Sequence, residues 1–387
     1  MKTRKAAYAE KFRYLYLVSL IATMVLFIEK TKGLTLGEIL PNRIPISEYP
    51  QHIDLYLLLR HLEGNCYEGV GRHFRHDPLI MLKLVVVKLF RKFSYRDTVL
   101  TLTDDDCRYL ALPWTGNGYA ILARSTLHHF VKYRLKEEGF ERIMEIVGTM
   151  ICRESGVGVG IMDSTPLETS RYDNYAEFNP HYNCKMDKAH IFHIDDIPVF
   201  CCYSGGTESD SKHAFLMIKG VEQMKPKISG VFADGGYDSF QTHADIHQVL
   251  RVKPYIDFRD NAVINEEGKD ERIDHWVNKL WKKGGSVHAT LSQKLQFLYK
   301  NGRLEQVGMY LRNQNLRDPT FRAVYKKRGV CERTHNNLKS TVKFDVRKLR
   351  NSSKKLYVLA NFVAYQIQLL GHLQNNIRPV QQLALYY

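Results

Sequence analysis

The chain has 387 residues, 44% of them apolar and 25% charged, with a formal net charge of +15. That apolar content is enough to bury a sizeable core, which excludes an intrinsically disordered polypeptide. The positive excess points to a polyanionic partner, either a phosphate backbone or an anionic lipid surface.

At the N-terminus, MKTRK precedes YLYLVSLIATMVLFI, Tyr14 to Ile28, in the n- and h-region layout of a signal peptide. Arg13 and Glu29 bracket only 15 uncharged residues, short of the roughly 18 to 20 that a spanning helix needs. No small-residue cleavage site follows. Residues 1–35 are therefore read as a buried apolar helix of unassigned role, with a signal or membrane anchor as the alternative. Residues 36–150 read as a helical domain: DPLIMLKLVVVKLF, FSYRDTVLTLTDDDCRYLAL and STLHHFVKYRLKEEGFERIMEIV carry helical periodicity with caps or turns between them. Arg124, Lys132 and Arg134 on the last of these either face DNA or form a solvated face. The acidic run Asp104 to Asp106 reads as a turn and cap.

After Gly156 the texture changes to short runs rich in Val, Ile and Phe. VGVGIMD, AHIFHI, IPVFCCYS, ISGVFAD and RVKPYIDF read as strands, with helices at 211–224 and 240–250. The order of three strands, helix, strand, helix, strand predicts an α/β fold, a mixed sheet flanked by helices. Seven cysteines, with no CxxC pair and one adjacent pair at Cys201 and Cys202, match neither a disulfide framework nor a zinc knuckle. Residues 259–318 are charged and mostly helical and read as an insertion. From Phe321 the pattern predicts one long helix, then an apolar helix, KKLYVLANFVAYQIQLLGHL, packed on the sheet. The core thus comprises 155–258 and 319–387.

Two predicted strands finish on an aspartate and a turn, GVGIMDSTPLE at Asp163 and SGVFADGGYDS at Asp234. Either aspartate alone is explained by turn chemistry. Together, at the ends of neighbouring strands, they would hold Mg2+ or Mn2+, which take a few oxygen ligands and leave room for water and phosphate.

The stretch YKKRGVCERTHNNLK, Tyr325 to Lys339, sets one carboxylate among five basic residues. On a helix advancing about 100° per residue, Tyr325, Arg328, Glu332 and Lys339 share a stripe about 60° wide. Glu332 would complete a three-carboxylate site, while Arg328 and Lys339 grip phosphates. The alternative is a basic helix in which Glu332 pairs with Arg328 four residues before it. Residues 322–355 hold twelve Lys or Arg and two acids, so most of the net charge lies there.

These residues resemble the DDE transposases of prokaryotic insertion sequences, in the class with the signature Tyr-x2-Arg-x3-Glu-x6-Lys, matched by Tyr325, Arg328, Glu332 and Lys339. Asp163-Ser164-Thr165 and Asp234-Gly235-Gly236-Tyr237 are similar to the first and second aspartate motifs of that class. The resemblance spans about residues 70 to 370 and implies an RNase H-like core. It implies cut-and-paste DNA transposition: binding of terminal inverted repeats, cleavage at the transposon 3′ ends, and strand transfer into target DNA. Asp163, Asp234 and Glu332 would be catalytic and would hold two Mg2+ or Mn2+ ions. Tyr325, Arg328, Lys339, Lys326, Lys327, Arg333 and Lys343 would contact double-stranded DNA, and 36–150 would bind DNA ends. A homodimer would synapse two ends, in the cytoplasm on the nucleoid, with no small-molecule substrate. The competing readings are a catalytically silent, transposase-derived DNA-binding protein, a related nuclease that cuts without joining, and a membrane-associated protein with a lipid-binding basic surface.

Other residues invite weaker readings. His213 would lie near the aspartates or sit as a surface histidine. His243 and His247 have the i, i+4 spacing of a metal pair but lack a third ligand. Trp114, Trp276 and Trp281 read as core anchors, with a base-bracing role for the last two borrowed from the family.

Overall fold

The computed structural model describes residues 76–259, 291–342 and 351–374, apart from 77, 91 and 111, together with 344 and 346. The apolar segment 1–35, Trp276, Trp281, Lys343 and part of the insertion lie outside the described residues.

The chain opens with helices α1 (Pro78–Phe90), α2 (Tyr95–Leu100), α3 (Asp104–Tyr109) and α4 (Arg124–His129), which runs through a π-helical turn, Phe130–Leu135, into α5 (Lys136–Glu154). Short helices need their free amides satisfied. Ser94 caps α2, and at α3 Thr103 and Asp106 form a reciprocal capping box. The acidic run is thus a cap, as its spacing predicts.

Next come β1 (Gly158–Glu168), β2 (Glu177–Asn179), β3 (Cys184–Ile194), β4 (Ile197–Gly205), α6 (Asp210–Met224), β5 (Ile228–Ala233), α7 (Phe240–Asp245) and β6 (Lys253–Ile256). They build a six-stranded mixed sheet in the order β2-β3-β1-β5-β6, with β4 also on β3. The pairs β1–β3 and β3–β4 are antiparallel, while β1–β5 and β5–β6 are parallel. This is the predicted mixed sheet flanked by helices, consistent with an RNase H-like core, with the three-residue β2 as an addition. β4 and β2 share the outer edge of β3, which pairs with β4 from Asp187 and with β2 at Cys184 to Met186.

β1 does not end at Asp163: it continues through Ser-Thr-Pro to Glu168, held by β3 in unbroken register from Gly160↔Ile194 to Glu168↔Met186. Its pairing with β5 stops at Met162↔Ala233, so the last residues of β1 are unpaired on that side, a setting in which a strand tolerates Pro166.

The C-terminal part contains α8 (Leu291–Lys300), α9 (Leu304–Arg317), α10 (Phe321–Tyr325), α11 (Val330–Thr341) and α12 (Asn351–Gln374). The single long helix expected from Phe321 is instead two, separated by a 3-10 turn at Lys326–Gly329. Gly329 weakens the helix there. α12 is long and apolar enough to cross a membrane, but its apolar window is 89% buried against this protein. It packs on α5 and β4, and one cluster of buried apolar side chains runs from Met81 through the sheet to Leu373. Of the three tryptophans, Trp114 is described and is exposed rather than a core anchor.

Candidate active site

The sheet register sets the site. Met162 pairs with Ala233 across parallel strands, and each strand's next residue is an aspartate, so Asp163 and Asp234 stand side by side where β1 and β5 part. Asp163 is buried within β1. Asp234 caps the turn Gly235–Tyr237, its Oδ1 accepting from the Gly236 amide at 3.0 Å. A side chain at Gly236 would meet Asp210 Oδ2 at 2.9 Å. Asp210, at the start of α6, accepts from Ser164 Oγ at 3.0 Å and Lys188 Nζ at 2.8 Å.

α10, the 3-10 turn and α11 cross this edge. Cys331 packs with Ile161 of β1 and Phe232 of β5, and Tyr325 donates its hydroxyl to the Ala233 carbonyl at 3.2 Å. The break in the helix turns Arg328 inward: its Nη2 donates to Asp163 Oδ1 at 2.9 Å and lies 3.6 Å from Asp234 Oδ2. Cys331 Sγ donates to Asp163 Oδ2 at 3.0 Å, and His335 Nδ1 lies 3.8 Å from the same oxygen. Arg328 therefore pairs with the aspartates and not with Glu332, which overturns the surface-pair alternative.

The electrostatics follow. Burial and the neighbouring Asp163 push Asp234 up to about 6, with Arg328 opposing and Asp210 adding. Burial alone would weaken the Arg328 cation, but Asp163, Tyr325 and Asp234 raise it above its ordinary value. Burial, helped by Lys339 and Arg328, holds His335 down at about 3, so it is neutral at physiological pH. Behind it His193, fully buried, is likewise brought to about 3 by burial and His335.

Glu332 is exposed in the first turn of α11, next to Cys331. Among the described residues no three of His, Cys, Asp and Glu converge as metal ligands do. Asp163, Asp234 and Arg328 are brought together, while Glu332 does not join them, although its neighbour Cys331 touches Asp163. Lys326, Lys327, Arg333 and Lys339 are exposed, while Tyr325 is half-buried. Adjacent carboxylates are hard oxygen donors of the kind Mg2+ or Mn2+ takes. They fit such an ion in donor type, with Arg328 supplying the positive charge between them in this structure.

Sequence reasoning missed Cys331, His335 and Asp210. The first two lie one turn apart on α11 and both face Asp163, and Asp210 reads as an ordinary helix start. His213 does approach this region, stacking on buried His190 at 4.4 Å and meeting Glu208 Oε2 at 3.2 Å. His243 and His247 do not form a metal pair: His243 faces Asp238 at 3.4 Å and His247 meets the Tyr299 hydroxyl at 2.9 Å.

Compared with known protein families, the chain matches a model described as the transposase DDE domain over residues 154–367. No curated protein and no solved structure matches it. The matched span runs from the end of α5 through the sheet, both aspartates and the Arg328 turn into α12.

Proposed function

Because the chain belongs to the transposase DDE domain family, we propose that it is a DNA transposase of the Tyr-x2-Arg-x3-Glu-x6-Lys class, cutting transposon ends and joining them to target DNA. The observation that carries this reading is the Asp163–Asp234 pair at one sheet edge, bridged by the Arg328 side chain. Two carboxylates side by side carry more negative charge than one arginine neutralises, a setting that suits a bound divalent cation.

In this reading Asp163, Asp234 and Glu332 hold one or two Mg2+ or Mn2+ ions. Such ions, when bound, activate a water or 3′-hydroxyl and stabilise the leaving oxygen. Asp234 must be ionised to ligate, and its value of about 6 leaves it so at neutral pH. Arg328 must release Asp163, and the natural acceptor for its fork of donors is a DNA phosphate. Glu332 would complete the set from the first turn of α11, whose Cys331 touches Asp163. Lys326, Lys327, Arg333, Lys339 and Lys343 neutralise further phosphates, and a homodimer synapses two ends. The site of action is the cytoplasmic nucleoid.

A second reading, a silent DNA-binding derivative, is favoured by one observation: Asp163 is closed by Arg328 and Cys331. A labelled duplex carrying the end sequence beside the gene separates the two. Transposase activity predicts Mg2+-dependent 3′-end nicking and joined product, abolished by EDTA and by Asp234→Asn with DNA binding retained. Tight binding without cleavage by the unmodified chain, in Mg2+ and Mn2+ alike, would establish the silent derivative.

A further inference from the structure

The ladder between β1 and β5 ends one residue short of the site. Its last pair is Met162↔Ala233, so the ladder does not itself set the distance between Asp163 and Asp234, which come next. In this structure Arg328 spans the two carboxylates. Once that guanidinium has turned to a DNA phosphate, their spacing has to come from other groups.

Asp210, the first residue of α6, reaches both strand ends. Its Oδ2 accepts from Ser164 Oγ at 3.0 Å, and Ser164 directly follows Asp163 on β1. The same oxygen lies against Gly236 in the turn that Asp234 caps: a Cβ added there would stand 2.9 Å from Asp210 Oδ2 and 3.0 Å from Asp234 Oδ1. Only glycine allows so close an approach of α6 to the turn. Arg259 ties the same two elements from outside, its Nε donating to the Gly235 carbonyl at 3.2 Å and its Nη2 to the Gly236 carbonyl and to Ser211 Oγ, each at 3.4 Å. On the buried side, His190 of β3 meets the Tyr237 hydroxyl at 3.2 Å and Ser204 Oγ at 2.7 Å.

Asp210 is itself held. Lys188 of β3 donates to its Oδ1 at 2.8 Å and to the Glu208 carbonyl at 3.1 Å, and both side chains are largely buried. A third buried carboxylate near two others is costly unless it is neutralised, and Lys188 supplies the opposite charge. With one oxygen on Lys188 and the other on Ser164, Asp210 is placed to orient the aspartates rather than to join them as a ligand.

We propose that Asp210 is a positioning residue, which through Ser164 and the Gly236 turn keeps Asp163 and Asp234 at the spacing a divalent cation needs after Arg328 has left. The proposal rests on the transposase reading and deepens it. Groups that orient metal ligands in this way strengthen metal binding by about tenfold or more.

The test reads Mn2+ binding by electron paramagnetic resonance on the full chain with the end duplex in place, against an Asp234→Asn chain as baseline. Ser164→Ala should bind Mn2+ about tenfold more weakly than the unmodified chain. Ser164→Thr, which keeps the hydroxyl, should bind as tightly. Asp210→Asn combined with Lys188→Met removes the buried pair as a unit, so that neither charge is stranded, and should show the same loss; Ser164→Ala decides alone if that double variant does not fold. Unmodified affinity in Ser164→Ala or in the double variant, or a loss that Ser164→Thr fails to restore, overturns the role of Asp210 and leaves the transposase reading standing. No Mn2+ binding by the unmodified chain above the baseline overturns both.

Discussion

Arg328 is the residue on which the site turns. Its guanidinium bridges two aspartates, and removing it would leave Asp163, whose side chain is 7% exposed, as a buried carboxylate without a strong counter-ion. Arg328→Gln should therefore destabilise the metal-free chain by about 3 kcal/mol, read by urea unfolding, and should move Asp234 upward from about 6 by carboxyl NMR. Asp234 itself gives a signed pH prediction. An acid raised by folding contributes stability that is fully present below its unfolded value and lost as pH rises through its folded value. Asp234→Asn should thus stabilise the metal-free protein above about pH 6, by on the order of 1 to 2 kcal/mol, with the gain vanishing below about pH 4. An unfolding series across pH checks both ends. At this scale, Asp234 and Arg328 were legible because strand-end and spacing patterns mark them. Cys331 and His335 were not, since a thiol or imidazole inside a basic stretch has no pattern of its own.

Elements decide how firmly the Asp234 turn is held. Arg312 of α9 grips Asp238, with Nε to Oδ1 at 2.9 Å and Nη2 to Oδ2 at 2.8 Å, and His243 joins from α7. Against the upward pull of burial, the His243 and Arg312 bonds bring Asp238 down to about 2. Asp238 directly follows the turn that Asp234 caps, so α9 braces the site from behind. Arg312→Ala should cost about 3 to 5 kcal/mol and broaden the Asp234 resonances. The same pair of helices meets at Gly308, where an added Cβ would lie 1.8 Å from the Phe240 carbonyl oxygen. Gly308→Ala should push α9 away from α7 and lower the urea midpoint, although alanine is the better helix former. The order of strands and helices was readable from alternating apolar runs. The reach of β1 past Asp163 was not, because Ser-Thr-Pro reads locally as a turn and only pairing with β3 keeps it extended. The split between α10 and α11 was hidden for a related reason: helical spacing survives a short 3-10 turn, but the direction of the side chains does not.

Across the whole molecule, the charge of +15 is concentrated in residues 322–355, on the segments that cross the aspartates and lead into α12. DNA affinity should fall steeply with salt. Replacing the exposed Lys326, Lys327 and Arg333 by Gln should flatten the slope of log affinity against log salt by about 2 to 3, since each phosphate contact contributes about 0.9. A titration of one duplex at four salt concentrations measures it. The charge and its placement were plain in the sequence, and so was the sheet on which the site is built; the joining of helices, sheet and α12 through one apolar core was not, because a core is a property of contacts far apart in the chain. Glu332, exposed in the first turn of α11, is proposed as the third partner of the aspartates. The deciding measurement is Mg2+-dependent 3′-end cleavage of a labelled end duplex by Glu332→Gln beside the unmodified chain, with binding followed in parallel. Unchanged binding with cleavage lost is the predicted result, and cleavage by Glu332→Gln at the unmodified rate would contradict it.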